Sequence, residues 1–152
     1  DFLSRAFFTK NIKIITEKND ITNELNKPNF DPTELAILEK PPTVAIEKSD
    51  SQSVDIVDWG IHKMTFDVFT EKTSQLIVSE VYYPNGWKAY IDGKPTEIYK
   101  TNYILRSVTV PSGKHTVVLH YAPSDIYIGL IISLISLAIV VTILIVYRKR
   151  RW

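Results

Sequence analysis

The C-terminal part of the chain contains an uninterrupted apolar segment, Ile126 to Tyr147, that has no charged residue and no proline. Its 22 residues would extend about 33 Å as an α-helix, which matches the roughly 30 Å hydrocarbon core of a bilayer. Fifteen of these residues are Ile, Leu or Val, so their insertion into lipid is favourable. The segment predicts a transmembrane helix over residues 126–147, because a helix buried in a soluble core would be shorter and apolar on one side only.

The two flanks of this segment differ in charge. Four basic residues, Arg148 to Arg151, follow it, whereas Ala122 to Asp125 contain one acid and no base. Because basic residues accumulate on the cytoplasmic side, we expect residues 148–152 to form a cytoplasmic tail and residues 1–125 to lie outside the membrane. The first residues carry no leader that could export such a domain, which predicts a longer, polytopic parent protein. The alternative is a tail-anchored protein, which would have to carry four basic residues outward.

Composition excludes several functions for residues 1–125. They hold 14 basic and 17 acidic residues, a net charge of −3, which provides no positive field for nucleic acid. The chain has no cysteine, which excludes disulfides, Cys-ligated zinc, iron–sulfur clusters and thiol catalysis. We therefore expect a domain of ordinary size that is stabilised by its hydrophobic core.

The first third of the chain predicts short elements joined by loops. Arg5 to Glu17 is rich in Phe and Ile and predicts one or two strands. Asp20 is a candidate N-cap for a short helix that ends before Pro28. Leu35 to Glu39 predicts another brief strand, and Glu39 to Ser53, with two prolines and many polar residues, predicts an exposed loop.

After Val54, apolar segments recur at short, regular spacing, which is typical of an all-β sandwich. Met64, Phe66 and Val68 alternate with polar residues, the period of a half-buried strand. Leu76 to Tyr83 is largely apolar on both faces, so we expect it at the centre of a sheet. The predicted fold class is mainly β: an extracytoplasmic antiparallel β-sandwich, jelly-roll-like, followed by one C-terminal transmembrane helix.

The dipeptide Asp92-Gly93 predicts a two-residue type I′ turn between two strands. That turn sets three cross-strand pairs: Ile91 with Lys94, Lys88 with Glu97, and Trp87 with Ile98. The opposite charges of Lys88 and Glu97 would meet on one face of the hairpin. The other face would hold the apolar set Trp87, Ala89, Ile91, Thr96 and Ile98.

A second hairpin is predicted at Pro111-Ser112-Gly113, where Pro111 fits a type I turn and Gly113 takes the left-handed bulge position. The expected pairs are Val110 with Lys114, Leu105 with Leu119, and Tyr103 with Tyr121. This hairpin would also have one apolar face. Two such one-sided sheets are expected to pack face to face.

The stretch from Ser79 to Pro123 contains Tyr-Tyr-Pro, Gly-Trp-Lys-Ala-Tyr and Asp-Gly-Lys in succession and then Pro-x-Gly-Lys-His. Followed at once by a terminal span, it resembles the C-terminus of the bacterial YfhO membrane-protein family. Arg5 to Phe8, Asn29 to Pro32 and Ala36 to Glu39 resemble the segments that precede this domain in the family. The chain departs at Asn85, where many members are expected to run directly from Pro to Gly-Trp, so this loop is expected to be one residue longer.

The resemblance implies a large polytopic protein with a core like that of the C-type glycosyltransferases, which use lipid-linked sugars to modify cell-envelope polymers. The acidic catalytic residues of such enzymes lie between early spans, so this sequence supplies none of them. The chain would be an accessory or acceptor-binding domain with a membrane anchor, and its partners would be the bilayer, the parent's upstream transmembrane core and envelope glycan. In the alternative, it is a non-catalytic structural or partner-docking module of a membrane transport or assembly protein.

Six aromatic residues fall within 22 positions: Tyr82, Tyr83, Trp87, Tyr90, Tyr99 and Tyr103. Aromatic faces beside polar groups are suited to gripping sugars, but packing between sheets accounts for such residues equally well. Because the hairpin register places Trp87 in the core, we predict that Tyr83, Tyr90 and Tyr99 are the exposed, glycan-contacting members.

No metal site, cofactor site or catalytic centre is predicted in this chain. His115 and His120 are five positions apart on one strand and so point to opposite faces, while His62 is remote, and three zinc ligands do not converge. The carboxylates have structural explanations: the turn for Asp92, a pair with Lys88 for Glu97, and a solvated strand edge for Asp55 and Asp58.

Overall fold

The computed structural model describes residues 3–150, which form two compact units that divide after Tyr121. The first unit contains two β-sheets and a short helix, and the second is a single long helix. Arg151 and Trp152 of the predicted cytoplasmic tail lie outside the described residues.

The first sheet has six strands, numbered in chain order over the whole chain: β1 (Ala6–Thr9), β2 (Asn11–Ile14), β3 (Leu35–Leu38), β6 (Ser74–Val81), β9 (Tyr99–Thr101) and β10 (Leu105–Val110). Their order across the sheet is β1-β6-β10-β9-β3-β2. All neighbours are antiparallel except β2 and β3, which are parallel. The central position of β6, between β1 and β10, confirms the prediction from its two-sided apolar sequence.

The second sheet has five strands: β4 (Gln52–Trp59), β5 (Lys63–Thr70), β7 (Trp87–Ile91), β8 (Lys94–Thr96) and β11 (Gly113–Tyr121). Their order is β4-β5-β11-β7-β8, and all neighbours are antiparallel. Met64, Phe66 and Val68 of β5 are buried as their alternation predicts.

The two sheets pack face to face over one hydrophobic core, which confirms the predicted antiparallel-rich β-sandwich. Both sheets contribute to it: Ala6, Phe8, Leu76, Val78, Val108 and Val110 from the first, and Met64, Phe66, Val68, Ala89, Val117 and Leu119 from the second. Ile77 points to the opposite face of β6, where it forms a second cluster with Ala36, Leu38 and Tyr99. The six-stranded sheet is therefore apolar on both faces.

The hairpin at Asp92-Gly93 forms with the predicted turn. Asp92 has φ +50° and Gly93 has φ +78°, and Ile91 lies opposite Lys94. The pairing ends where Ala89 meets Thr96, however, and Glu97 forms an ion pair with Lys40. The predicted pair of Lys88 with Glu97 is therefore wrong, because the strand β8 is too short to bring Glu97 beside it.

The predicted hairpin at residues 111–113 is also wrong: the chain crosses there from one sheet to the other. The strand β10 pairs with β6 and β9, whereas β11 pairs with β5 and β7. Leu119 therefore lies opposite Met64 and Ala89 rather than Leu105. Gly113 does adopt a positive φ, +118°, at this crossing. Val110 and Val117 both face the core, but they do so from opposite sheets.

The short helix α1 (Lys18–Leu25) buries Ile21 completely and ends before Pro28. The predicted N-cap, Asp20, is wrong, because the helix begins earlier and Glu17 occupies the cap position without a side-chain hydrogen bond. Asp20 lies in the first helical turn, where a carboxylate still interacts favourably with the helix dipole.

The second unit contains the helix α2 (Ser124–Arg150). Within it, Ile128–Arg150 is long and apolar enough to cross a membrane. The helix extends at both ends beyond the predicted span of residues 126–147, and its last turn holds Arg148, Lys149 and Arg150.

Candidate functional site

Four of the six clustered aromatic residues meet at a cleft of about 270 Å³ beside the β7–β8 hairpin. We call it the aromatic cleft. It is lined by Tyr82, Tyr83, Pro84, Trp87, Lys88, Ala89, Tyr90, Pro95, Thr96 and Ile98. The lining combines aromatic rings with a lysine amine and hydroxyl groups, and it contains no carboxylate and no histidine.

Local geometry explains why these residues meet. The segment of residues 82–86 leads from the six-stranded sheet into the five-stranded sheet, and Gly86 adopts φ +93° just before β7 begins. Within β7, Ala89 faces the core, so Lys88 and Tyr90 point to the outer face of the sheet. Tyr83 is 52% exposed and Tyr90 is half-buried, so both predicted site residues reach the cleft surface.

Trp87 forms the inner wall of the cleft and packs against the core between the sheets. It is half-buried rather than fully buried. Its ring lies 5.4 Å from that of Tyr121, and the Arg106 guanidinium carbon lies 4.2 Å from its centroid. This stacking of a cation on an indole ring is the strongest type of cation–π contact.

Arg106 is a residue that the sequence reasoning missed. It is only 4% exposed and donates one hydrogen bond, from Nη2 to the Val81 carbonyl at 2.8 Å. Its Nε and Nη1 are buried without a partner among the described residues. Burial lowers the pKa of Arg106, and the more weakly acting charge of Glu80 opposes this. A signal was available, because Arg106, Val108 and Val110 alternate and therefore share the core-facing side of β10.

Tyr99 is not part of the cleft, and the prediction that it is exposed is wrong. It is 1% exposed and belongs to the cluster on the outer side of the six-stranded sheet. Its hydroxyl accepts a hydrogen bond from the Thr43 N–H at 3.1 Å, and the Lys40 amine lies 5.4 Å from its ring centroid. Residues of the long loop before β4 thus contact Tyr99. Tyr103 also lies outside the cleft, with the Lys100 amine 5.1 Å from its ring.

The comparisons with known proteins identify the family of this chain. Residues 10–133 match the family model described as "Bacterial membrane protein YfhO". The chain belongs to the YfhO family. No curated protein and no solved structure matches it. The YfhO match includes every residue of the aromatic cleft and the first turns of α2.

No carboxylate belongs to the lining of the aromatic cleft of this YfhO chain. Asp55 and Asp58 are exposed on the edge strand β4, as the interpretation of a solvated strand edge predicts. Asp55 lies opposite Asp67, which accepts a hydrogen bond from the Thr116 hydroxyl at 2.8 Å. Over residues 3–150, no group of three or more His, Asp or Glu side chains could hold a metal ion. His62, for example, stacks on Tyr121.

Asp92 and His115 form a structural clip at the tip of the YfhO chain's β7–β8 hairpin. The Asp92 carboxylate accepts a hydrogen bond from the Thr116 N–H at 2.9 Å and lies 2.6 Å from His115 Nδ1. His115 Nε2 lies 3.1 Å from the Ser112 carbonyl oxygen. Because an oxygen acceptor faces each ring nitrogen, the imidazolium form of His115 can donate a hydrogen bond to both. Neither ring nitrogen is then free to act as a general base. Partial burial lowers the pKa of His115, but these hydrogen bonds outweigh it and the net pKa is raised.

We expect the clip to stabilise the fold over a limited pH range. The pKa of His115 is raised above its ordinary value of 6.5, so its contribution is complete below pH 6.5 and is lost as the pH rises through the folded-state pKa. The His115 hydrogen bond lowers the pKa of Asp92 below 3.8, so that contribution is lost as the pH falls through the lowered value. Chemical denaturation of wild type and His115→Gln should therefore differ most between about pH 4 and 6.5. A difference that does not change with pH would contradict the ion pair.

Proposed function

We propose that this chain is the extracytoplasmic domain and membrane anchor of a polytopic YfhO protein, and that the domain binds the acceptor glycan for lipid-linked-sugar-dependent glycosylation of the cell envelope. Family membership and the apolar helix α2 support the membrane anchor. The basic residues at the end of α2 support a cytoplasmic C-terminus. The proposed site is the aromatic cleft.

The aromatic lining of the cleft is the observation that carries this proposal. Tyr83 and Tyr90 present rings at its surface, where they can stack against the apolar face of a sugar. Lys88 and Thr96 add a cationic donor and a hydroxyl within the same lining. The volume of about 270 Å³ is close to the lower limit of ordinary ligand pockets, which suits one or two sugar rings of a longer polymer.

The chemistry of the cleft supports binding rather than catalysis. Hydrolysis of a glycosidic bond ordinarily uses a pair of carboxylic acids, and histidine is the most frequent general acid–base group in other reactions. The lining contains neither group, and the Asp92–His115 clip is occupied by its own hydrogen bonds. In this proposal the catalytic groups belong to the transmembrane core of the parent protein.

Single and double alanine variants of Tyr83 and Tyr90 test the proposal. The full chain in nanodiscs would be titrated with purified bacterial cell-wall polysaccharide, and each variant is expected to weaken binding about tenfold, because one stacked ring is lost. Phe69→Ala is the matched control, since Phe69 is a half-buried aromatic residue of the same sheet that lies outside the cleft. It is expected to bind like wild type.

Two results would overturn the glycan assignment. One is a wild-type chain that binds no cell-wall polysaccharide, and the other is equal binding by wild type and the Tyr83/Tyr90 double variant. Either result would favour the alternative function, a docking module within a transport or assembly protein.

A further inference from the structure

Several large apolar side chains project from one end of the sandwich. Ile61, in the β4–β5 turn, is 87% exposed, Val81 at the end of β6 is 62% exposed, and Ile104 before β10 is 51% exposed. We call these three residues the apolar rim. Ile61 lies beside the end of β11, because the Tyr121 N–H donates to the carbonyl of the next residue, His62, at 2.8 Å. Val81 lies beside Ile104, because the Tyr82 N–H donates to the Ile104 carbonyl at 2.6 Å.

The two sheets are joined at this end by contacts between cations and rings. Arg106 of the six-stranded sheet stacks on Trp87 of the other, and the Arg5 guanidinium lies 5.1 Å from the Trp59 centroid. The apolar rim thus lies at an end where the two sheets are in contact. An exposed aliphatic side chain on one loop is ordinary, but three at one end of a domain indicate a surface that is covered by something apolar.

A row of basic side chains crosses the outer face of the five-stranded sheet next to the rim. In the strand register, Lys63 lies opposite His120, and His120 lies opposite Lys88. We call these three residues the basic row. All three side chains are exposed, and none forms an ion pair in the described part of the chain. The nearest acidic position on this face is Asp58, which lies opposite Thr65, one row away.

The positive charges of Lys63 and Lys88 have no opposite charge facing them on the neighbouring strand, where a cross-strand partner would stabilise them. The other half of the same face carries the acidic residues Asp55 and Asp67 together with Lys114. Beside the rim, by contrast, the row of Lys63, His120 and Lys88 contains no acidic residue. An anionic partner at this end would supply the opposite charge that Lys63 and Lys88 lack.

The chain itself brings this end close to lipid. Only Ala122 and Pro123 separate the end of β11 from the first residue of α2. The three Cα–Cα steps from Tyr121 to Ser124 span at most about 10 Å. One further helical turn adds about 5 Å before the apolar span begins. The end of β11 is therefore tethered within reach of the bilayer surface by its covalent link alone.

We propose that the apolar rim and the basic row form a membrane-binding surface of the sandwich. Ile61, Val81 and Ile104 insert into the interfacial layer of the bilayer, and Lys63, His120 and Lys88 bind the phosphate groups of anionic phospholipids. Apolar side chains beside cationic ones are the combination by which peripheral proteins bind anionic bilayers. This surface shares Lys88 with the aromatic cleft but does not include the glycan-binding rings Tyr83 and Tyr90. Membrane depth and polysaccharide binding are measured separately, so each proposal can fail without the other.

The test measures how deeply single positions lie in the bilayer, using the full chain. Because the chain has no cysteine, single cysteines can be introduced at Ile61, at Ile104 and, as a control at the opposite end of β11, at Ser112. Each is labelled with the fluorophore NBD in nanodiscs of phosphatidylcholine with or without phosphatidylglycerol. Labels at positions 61 and 104 are expected to be quenched by spin-labelled lipid, and the label at position 112 by aqueous iodide.

The charge requirement is tested with the label at position 61. The double variant Lys63→Gln/Lys88→Gln should shift the label's equilibrium toward water about tenfold in nanodiscs that contain phosphatidylglycerol. The matched control, Lys94→Gln/Lys114→Gln, removes two exposed lysines from the other end of the sheet and should change nothing. Equal iodide quenching at positions 61 and 112 would overturn the proposal. Shielding of position 61 from both quenchers would also overturn it, because protein rather than lipid would then cover the rim.

Discussion

Replacing Tyr99 by alanine is expected to lower the free energy of unfolding by about 3 to 5 kcal/mol. Tyr99 is the largest fully buried side chain in the described residues and packs with Ala36, Leu38 and Ile77. Alanine would leave a cavity in a cluster that has no other aromatic side chain among its buried members. Chemical denaturation of the full chain in detergent micelles, followed by tryptophan fluorescence, measures the loss.

Tyr99→Phe is the matched control for that variant. It keeps the ring and removes only the hydroxyl that accepts the Thr43 N–H, so we expect a loss of about 1 kcal/mol. If Tyr99→Ala kept wild-type stability and instead weakened polysaccharide binding, the burial of Tyr99 would be contradicted and it would belong to the glycan surface.

Trp87→Ala is expected to cost about 3 kcal/mol, at the lower end of the range for large aromatic residues, because Trp87 is half-buried. The loss has two sources. The core cluster loses the packing of the indole ring, and Arg106 loses the ring over which its buried guanidinium is stacked. The same denaturation experiment measures this change.

Two companion variants separate packing from binding at Trp87. Trp87→Phe keeps a ring beneath Arg106 and should cost about 1 kcal/mol. Tyr90→Ala, on the outer face of the same strand, should also cost about 1 kcal/mol or less. Wild-type stability in Trp87→Ala, together with weaker polysaccharide binding, would assign Trp87 to the binding surface alone.

The parts of the fold that sequence could predict are those fixed by near neighbours. The Asp92-Gly93 turn depends on two residues that tolerate positive φ, and the alternation of β5 depends on a period of two. The crossing at Pro111 could not be predicted in this way. Apolar residues on β10 and β11 alternate identically whether the strands share one face of a hairpin or face each other across a core.

The residues of the candidate site show the same difference between local patterns and long-range contacts. Tyr82, Tyr83, Trp87 and Tyr90 are close in sequence and meet at one cleft. The burial of Tyr99 depends on Thr43, 56 positions earlier, and Glu97 finds its partner Lys40 57 positions away. Such contacts follow from the order of strands in the sheets, which no local pattern specifies.

The position of β11 in the sheet determines how the domain bears mechanical load. This strand leads directly into α2, and it is held on one side by β5 and on the other by β7. Its hydrogen bonds run perpendicular to the strand, so a force that acts along the strand loads both rows in shear and many bonds must break together. An edge strand such as β8 is hydrogen-bonded to a neighbouring strand on one side only, so breaking that single row would detach it. A pull along β11 would therefore move the sandwich as a whole without detaching its last strand.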